Sequence, residues 1–263
     1  YLGGSTADSS TFSGNITLQK NVTLTDVSGG NVTLSGVISG GFNVTKSGAG
    51  TLVLSGNNTY TGTTTISNGT LSVSNIVVSG GYSNLGNAAT PVVLGDATNK
   101  GTLSYTGNDA TYIRGFTVNA GGGEIDVTTA GQALTIGTNG ITATGTLTKG
   151  GGGTLAQAMN LSLGGNLSVS AGTWAIFTYD LAVTGNSDVT GGTVTIGASS
   201  LNGWNTTDMT IGTGGAVTCS GASKITASGD WDMSLGAWTR GDSTVNFIGT
   251  SNVMSGGLSF NHV

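Results

Sequence analysis

Charged residues are scarce in this sequence of 263 residues. They make up 7% of the chain, with 12 acidic and 7 basic side chains and a formal net charge of −5, whereas soluble domains usually carry about 25%. Seven cations are too few for a nucleic-acid surface, so we expect no nucleic acid as a partner. Charge-driven disorder is also excluded, because disordered chains are poor in β-branched residues and this chain contains 44 threonines.

Proline, cysteine and histidine each occur once. The near absence of proline excludes a collagen helix, and the single Cys219 excludes a disulfide framework or a cysteine-based metal cluster. Cys219 shares its phase with Val217 in a short alternating run, which predicts a buried thiol. No apolar run approaches the about 20 residues of a membrane span. We therefore expect no membrane insertion, no cofactor and no metal.

Glycine, threonine, serine and asparagine together make up more than half of the chain, 144 of 263 residues. Between the glycines and asparagines, apolar residues recur at every second position in very short runs, such as Ile16/Leu18 and Val32/Leu34. This alternation is typical of half-buried strands, and no window of comparable length shows the spacing of an amphipathic helix. The sequence therefore predicts an all-β fold.

The apolar pairs are only three residues wide and favour a β-solenoid over a sandwich or a barrel, whose strands run about five or six residues or longer. In a solenoid, each short strand is hydrogen-bonded to the coils on either side of it. The segment VTKSGAGTL at residues 44–52 returns as LTKGGGGTL at 147–155, and Gly-Thr-Leu recurs at 69–71. These spacings predict about 13 coils of about 20 residues in a rod about 60 Å long, at one strand spacing per coil.

Residues 34–73 carry regularly placed motifs: Lys46, Gly48, Gly-Thr-Leu at 50–52, Leu-Ser-Gly at 54–56, Asn-Thr-Tyr-Thr-Gly at 58–62 and Gly-Thr-Leu at 69–71. This stretch resembles the repeat associated with autotransporter passenger domains, found in large bacterial surface proteins. The resemblance implies a right-handed parallel β-helix outside the cell and no catalytic activity. We interpret residues 1–155 as a β-solenoid with passenger-associated motifs and 156–263 as its continuation with divergent repeats.

Catalysis on such a scaffold would need paired carboxylates for acid/base or nucleophilic work, or a carboxylate cluster for calcium with a cationic partner. Two pairs have the spacing that projects both side chains from one strand face, Glu124/Asp126 and Asp230/Asp232. Neither pair has a nearby cation in the sequence, although neighbouring coils could bring one. We expect solvated outer-face carboxylates, with a weak cation site and catalysis as the alternatives left open. No catalytic residue is assigned, and we expect a protein that is not an enzyme.

Asparagine and tryptophan supply the candidate surface sites. Trp204, between Gly203 and Asn205, is the candidate for an exposed corner aromatic that contacts carbohydrate. Nine Asn-x-Ser/Thr sequons are candidate glycosylation sites, although an asparagine at a strand start has a structural explanation that we favour. The sequons lie at Asn15, Asn21, Asn31, Asn43, Asn57, Asn68, Asn160, Asn166 and Asn205.

We therefore expect an extracellular structural β-solenoid on the cell surface, as part of a stalk, fibre, sheath or filament. Its expected partner is itself, through its ends or flanks, because unpaired strand edges accept further β-structure. Leu258, Phe260 and His262 share one phase and predict such an edge. The alternative is a carbohydrate- or surface-binding adhesin module with surface glycans as partners, and a polysaccharide-degrading enzyme is a distant third.

Overall fold

A computed structural model of the chain describes residues 2–3, 5–77, 82–197 and 203–257. Within these ranges the regular structure consists of strands of two to five residues, all paired in parallel, and no helix is present. The strands stack on three faces of one prism, and each coil visits face 1, face 2 and face 3 in that order. The predicted all-β solenoid is confirmed. The predicted terminal strand with Leu258, Phe260 and His262 lies outside the described residues.

Face 1 is a sheet of 12 parallel strands that runs along the whole described rod. Apolar residues at alternate positions of these strands point into the prism, since a strand sends successive side chains to opposite sides. The strands are Ser9–Phe12, Asn31–Leu34, Thr51–Leu54, Gly69–Val73, Gly101–Tyr105, Gly123–Val127, Leu147–Gly150, Leu167–Val169, Ser187–Val189, Met209–Ile211, Trp231–Asp232 and Val253–Met254.

Face 2 is interrupted, because the third and fourth coils contribute no regular strand to it. A two-stranded sheet precedes the gap and a seven-stranded sheet follows it. The first sheet contains Ile16–Thr17 and Ile38–Ser39. The second contains Ala110–Tyr112, Ala133–Ile136, Thr154–Gln157, Thr173–Phe177, Thr193–Ile196, Ala216–Cys219 and Ala237–Thr239.

Face 3 carries a seven-stranded sheet followed by a five-stranded sheet. The two meet where the amide of Gly164 donates to the carbonyl of Ala143 at 2.8 Å. The first sheet contains Leu2–Gly3, Val22–Thr25, Val44–Ser47, Thr64–Ile66, Val92–Leu94, Phe116–Val118 and Ile141–Ala143. The second contains Leu161–Leu163, Leu181–Val183, Trp204–Thr206, Lys224–Ala227 and Thr244–Phe247.

The register of face 1 gives the length of each coil. The pair Thr51↔Thr70 spans the shortest coil, and Gly123↔Leu147 spans one at the upper end of the usual range. One coil is much longer than the others, because Gly69 pairs with Gly101, and we call it the long coil. The 12 strands form about 11 turns, close to the predicted 13, in a rod about 53 Å long at one strand spacing per turn. The count is lower because most coils are longer than the predicted repeat.

A single apolar core fills the prism and runs from Leu18 to Val245. Burial in this column supplies the main stabilising term, about 25 cal/mol for each Å² of apolar surface removed from water. Cys219 lies in it with 3% of its surface exposed, and burial raises the pKa of its thiol. The predicted buried thiol is confirmed. Among the residues that the structure describes, there is no helix with the length and apolarity that crossing a membrane requires.

Candidate functional site

The carboxylate pair Glu124/Asp126 projects outward from face 1 and is met by lysines from both neighbouring coils. Lys100 of the preceding coil forms an ion pair with Glu124, with Nζ 2.5 Å from Oε2. Lys149 of the following coil is buried and lies opposite Ile125. The fold therefore places lysines from the neighbouring coils near this pair, although no cation lies near it in the sequence.

The charged groups of this cluster nevertheless form structural contacts, with backbone carbonyls and with the next coil. The amine of Lys149 donates to the carbonyls of Gly150, Gly151 and Ala171 at 2.5, 3.0 and 3.3 Å. Burial lowers its pKa to about 8, against the charges of Asp126 and Glu124, which act to raise it. Burial, with the charge of Glu124, raises the pKa of Asp126. A methyl group on Gly150 or Gly151 would overlap with these carboxylates, so they lie directly on the next coil.

The second pair, Asp230/Asp232, is used as two separate hydrogen-bond acceptors. Oδ1 of Asp230 accepts the backbone and side-chain amides of Asn252 at 2.9 and 3.0 Å. Oδ1 of Asp232 accepts the amide of Ser234 at 2.9 Å. Hydrogen bonds to Asn252 and to Ser234 hold the pKa of each carboxyl below its usual value. Both side chains therefore stay anionic near neutral pH and are poor proton donors.

Several of the sequon asparagines fasten one coil to the next. Through its side-chain Oδ1, each accepts the backbone N–H of a residue 20 to 22 positions further along the chain. The two residues of each pair occupy the same corner on successive coils. This geometry supports the structural explanation for an asparagine at a strand start, while glycosylation stays a prediction. The asparagines with this bond, at 2.9 to 3.0 Å, are Asn15, Asn21, Asn43, Asn160 and Asn166.

Aspartate takes the same role further along the rod. The amide of Asp180 is held by Asn160, and Oδ1 of Asp180 in turn accepts the amide of Gly203 at 2.9 Å. At another corner, Oδ1 of Asp208 accepts the amide of Asp230 at 2.8 Å. We call these rows of side chains the corner ladders. Asp180, Asp208 and Asp230 therefore act as structural acceptors between coils.

The prediction that Trp204 is an exposed corner aromatic is wrong. Trp204 is fully buried and opens the strand Trp204–Thr206, where it pairs with Leu181 and Ile225 of the adjacent coils. The corner is at Gly203, whose φ is +62°. The strand begins directly after this glycine, so Trp204 occupies an inward-facing strand position and its indole lies in the core.

Phe177 is an exposed aromatic that the sequence reading missed. It is 51% exposed and adopts φ +52° at an irregularity in the pairing of Thr173–Phe177 with the next strand. A non-glycine residue in this region is strained by about 1 kcal/mol or more. The signal was available, since Ile176 and Phe177 are adjacent large apolar residues that break the alternation.

Two buried lysines, which share a phase with the apolar residues of their strands, form the second feature that was missed. Lys46 follows Val44 on face 3, and its amine donates to the carbonyls of Ser47, Gly48 and Asn68 at 3.0, 2.8 and 3.2 Å. It also pairs with Asp26 at 2.9 Å. We call this arrangement the Lys46 corner, and the equivalent one around Lys149 the Lys149 corner.

The two corners are built from the two copies of the nine-residue segment, on different edges of the prism. Lys46 lies at the edge from face 3 to face 1, and Lys149 at the edge from face 1 to face 2. In both, the next coil contributes a glycine, Gly69 or Gly172, on which a methyl group would lie 2.9 Å from the amine. The motif therefore specifies a type of corner and not a position in the coil.

The first copy coincides with a known repeat. Residues 44–73, which include the Lys46 corner, match the family model of the passenger-associated-transport-repeat. A stretch of 117 residues, 44% of the chain, is 38% identical to the adhesin BmaC autotransporter of Brucella suis biovar 1 (strain 1330). The chain spans 3% of the length of that adhesin. No solved structure matches the chain significantly.

These matches confirm the resemblance to autotransporter passengers and the expected location at the cell surface. The chain is a parallel β-solenoid that contains one passenger-associated-transport-repeat and is similar to part of an autotransporter adhesin. Within the described ranges, no group of three histidine, cysteine, aspartate or glutamate side chains could hold a metal ion.

Proposed function

We propose that the chain is a length of stiff extracellular rod that acts as a spacer within a larger autotransporter-type surface protein. The observation that carries this proposal is the fastening of successive coils by the corner ladders and the lysine corners around one continuous core. Each coil is tied to the next by backbone, side-chain and apolar contacts, so bending must break several of them together. The length of the similar adhesin supports a role as one segment among many.

The spacer proposal is tested by measuring height. The chain is displayed on a bacterial surface between an outer-membrane anchor and an epitope tag, and the tag's distance from the membrane is measured by super-resolution microscopy. We expect the full chain to raise the tag by about 50 Å, since each turn adds about 4.8 Å. A matched protein with a flexible Gly/Ser segment of about 15 residues, whose fully extended length equals that of the rod, should give a broad, lower distribution, because its r.m.s. end-to-end distance is about 20 Å. The same distribution for both would contradict the proposal.

Self-association belongs to the same proposal. Leu235, Ile248 and Met254 are 70%, 63% and 50% exposed on the last described coils, and low charge leaves little repulsion between rods. We expect the mass measured by light scattering to rise with concentration, and to rise less in the variant Leu235→Lys/Ile248→Lys. A constant monomer mass at every concentration would contradict self-association and leave the spacer role intact.

Adhesion is the second candidate, and Phe177 is the observation that favours it. Its exposed ring lies beside Thr195, Thr218 and Ser220 of the next two coils, around a cleft of about 280 Å³. Aromatic faces beside hydroxyl groups suit a sugar ring. Binding of the chain to a glycan array that disappears in Phe177→Ser, and persists in Phe42→Ser, would favour adhesion over a spacer alone.

We propose no catalytic role. The carboxylates of both candidate pairs are held by the fold, as acceptors or against the next coil. We expect no release of reducing ends from acidic or neutral polysaccharides. Release that disappears in Asp126→Asn or Asp230→Asn would contradict this expectation.

A further inference from the structure

The chain passes from face 2 to face 3 along one edge of the prism, which we call the 2–3 edge. Among the described residues of the second to seventh coils, the only charged side chain on this edge is that of Arg114, which is buried. Large apolar side chains are exposed on it instead. Phe42 in the second coil, Ile113 in the fifth and Phe177 in the eighth are 37%, 59% and 51% exposed. An uncharged strip with exposed apolar side chains is typical of a surface that another protein covers.

An apolar cavity of about 450 Å³ lies on this edge at the fifth coil. Ile113 lines one side of it, and the connection of the long coil contributes Val77 and Ala89. All three side chains are exposed, so the apolar wall can be reached from solvent. Nη1 of Arg114 donates to the carbonyl of Leu85 at 3.0 Å and thereby fixes the connection from the following coil. The cavity is therefore preformed, as binding cavities usually are.

Phe177 supplies a projection of matching chemistry on the same edge. It is the last residue of Thr173–Phe177 on face 2, three coils after the strand Ala110–Tyr112 beside the cavity, so about 14 Å further along the rod. Its φ of +52° is strained, and backbone strain of this kind is retained mainly at functional positions. One chain therefore carries both an apolar cavity and an exposed aromatic ring on one uncharged edge.

We propose that two copies of the chain pair side by side and antiparallel along the 2–3 edge, with Phe177 of each copy inserted into the cavity of the other. This pairing rests on the self-association proposed above and assigns it a surface. A two-fold axis between the sixth and seventh coils places the fifth coil of one copy opposite the eighth coil of the other, so both contacts form at once. A second copy is the partner that this placement favours, because both halves of the contact lie on the same chain.

The alignment also gives an interface of ordinary size. The fifth and eighth coils are equally far from the middle of the 12 strands of face 1, so the two described rods overlap along their whole length, about 53 Å. Stable interfaces bury about 800 Å² on each partner. Over this length, that area requires a strip about 15 Å wide, the length of a strand of four or five residues.

Sedimentation equilibrium of the full chain tests the proposal. We expect a dimer, and we expect Ile113→Asp and Phe177→Asp each to raise its dissociation constant at least about 100-fold, because the two-fold axis places every substitution in both contacts. Both side chains are exposed and aspartate tolerates a positive φ, so thermal unfolding should be unchanged. Val27→Asp is the matched control, since Val27 is 39% exposed on the edge between face 3 and face 1.

The double variant Ile113→Asp/Phe177→Lys tests the orientation. In the antiparallel pair, each introduced carboxylate faces an introduced amine of the other copy. We therefore expect the double variant to dimerise at least about tenfold more tightly than either Ile113→Asp or Phe177→Lys alone. A parallel pair would place like charges opposite each other, so a double variant that is weaker than both single variants would overturn the antiparallel arrangement.

The remaining outcomes separate this proposal from the self-association on which it rests. Dimerisation that Ile113→Asp and Phe177→Asp leave unchanged, and that Leu235→Lys/Ile248→Lys abolishes, would overturn the 2–3 edge and keep self-association. A constant monomer mass would overturn both. A monomer whose glycan binding disappears in Phe177→Ser would assign the edge to a sugar instead of a second copy.

Discussion

The Lys46 corner and the Lys149 corner arise from the same nine-residue segment but neutralise their buried amines differently. At the Lys46 corner, Asp26 of the preceding coil contacts the amine at 2.9 Å, and both side chains are 1% exposed. At the Lys149 corner, Asp126 acts through its charge, and among the described residues it forms no ion pair with the amine. Three backbone carbonyls receive the amine in both.

This difference shows which part of the motif is essential to the corner. The carbonyl acceptors and the glycine of the next coil are common to both copies, while the carboxylate varies in position. A buried ammonium is costly unless hydrogen bonds and a counter-charge compensate it. The nine-residue segment therefore specifies the carbonyl acceptors around the amine. The acidic residue comes from the preceding coil, and its position differs between the two corners.

The largest expected effect separates the two lysines. Lys46→Met leaves the Asp26 carboxylate buried without its partner, which we expect to cost about 3–5 kcal/mol of the free energy of unfolding. Lys149→Met leaves three carbonyls without donors and a carboxylate that is only partly buried, so we expect about 1–3 kcal/mol. Urea titration measures both.

The double variant Lys46→Met/Asp26→Leu serves as its control. Removing both charges together should recover much of the loss, because an apolar pair of similar size often replaces a buried ion pair at little cost. Equal losses for the two single lysine variants would show that the contact with Asp26 adds nothing to the Lys46 corner.

A smaller effect tests what the corners share. Gly69→Ala and Gly172→Ala each place a methyl group against two carbonyls and 2.9 Å from the lysine amine, at φ +70° and +60°. We expect each to cost about 1–3 kcal/mol, from backbone strain and overlap together. Gly14→Ala is the control, since its methyl group would meet no atom within 4 Å. A large difference between the first two variants would break the equivalence of the corners.

Much of the fold could be predicted from the sequence because the alternation of apolar and polar residues is visible within a few consecutive residues. Leu52, Leu71 and Leu103 stack in register as the repeated Gly-Thr-Leu requires, and the approximate coil length follows from the spacing of that motif. The long coil was signalled by the wider spacing between Gly-Thr-Leu at 69–71 and at 101–103. What fills that coil depends on contacts such as Arg114 with Leu85, and nothing in local patterning specifies those.

The candidate sites were harder to predict because side-chain direction depends on where each strand begins. A shift of one residue places Trp204 inside the prism instead of outside it. The neighbours of Asp126 come from the adjacent coils, which are distant in the sequence, so the lysine whose charge acts on it, Lys149, could not be identified from the local sequence. The buried lysines show the reverse case, since Lys46 and Val44 share a phase that already predicts an inward side chain.

The smallest expected effect uses pH to compare the two amines. Burial lowers the pKa of Lys149 to about 8, well below that of an unfolded lysine, so between about pH 8 and 9.5 the unfolded chain holds more protons than the folded one. Stability from this group therefore rises with pH in that window, by about 1 kcal/mol.

Other titrating groups act in the same way on wild type and variants. Burial raises the pKa values of Cys219 and Tyr60, the latter to about 12, and their contribution to stability falls as the pH rises. The urea midpoint of wild type should therefore exceed that of Lys149→Met by less at pH 8 than at pH 9.5. Lys46→Met should show a weaker trend, because the contact with Asp26 opposes the lowering of the Lys46 pKa, and a stronger trend at Lys46 would reverse the comparison.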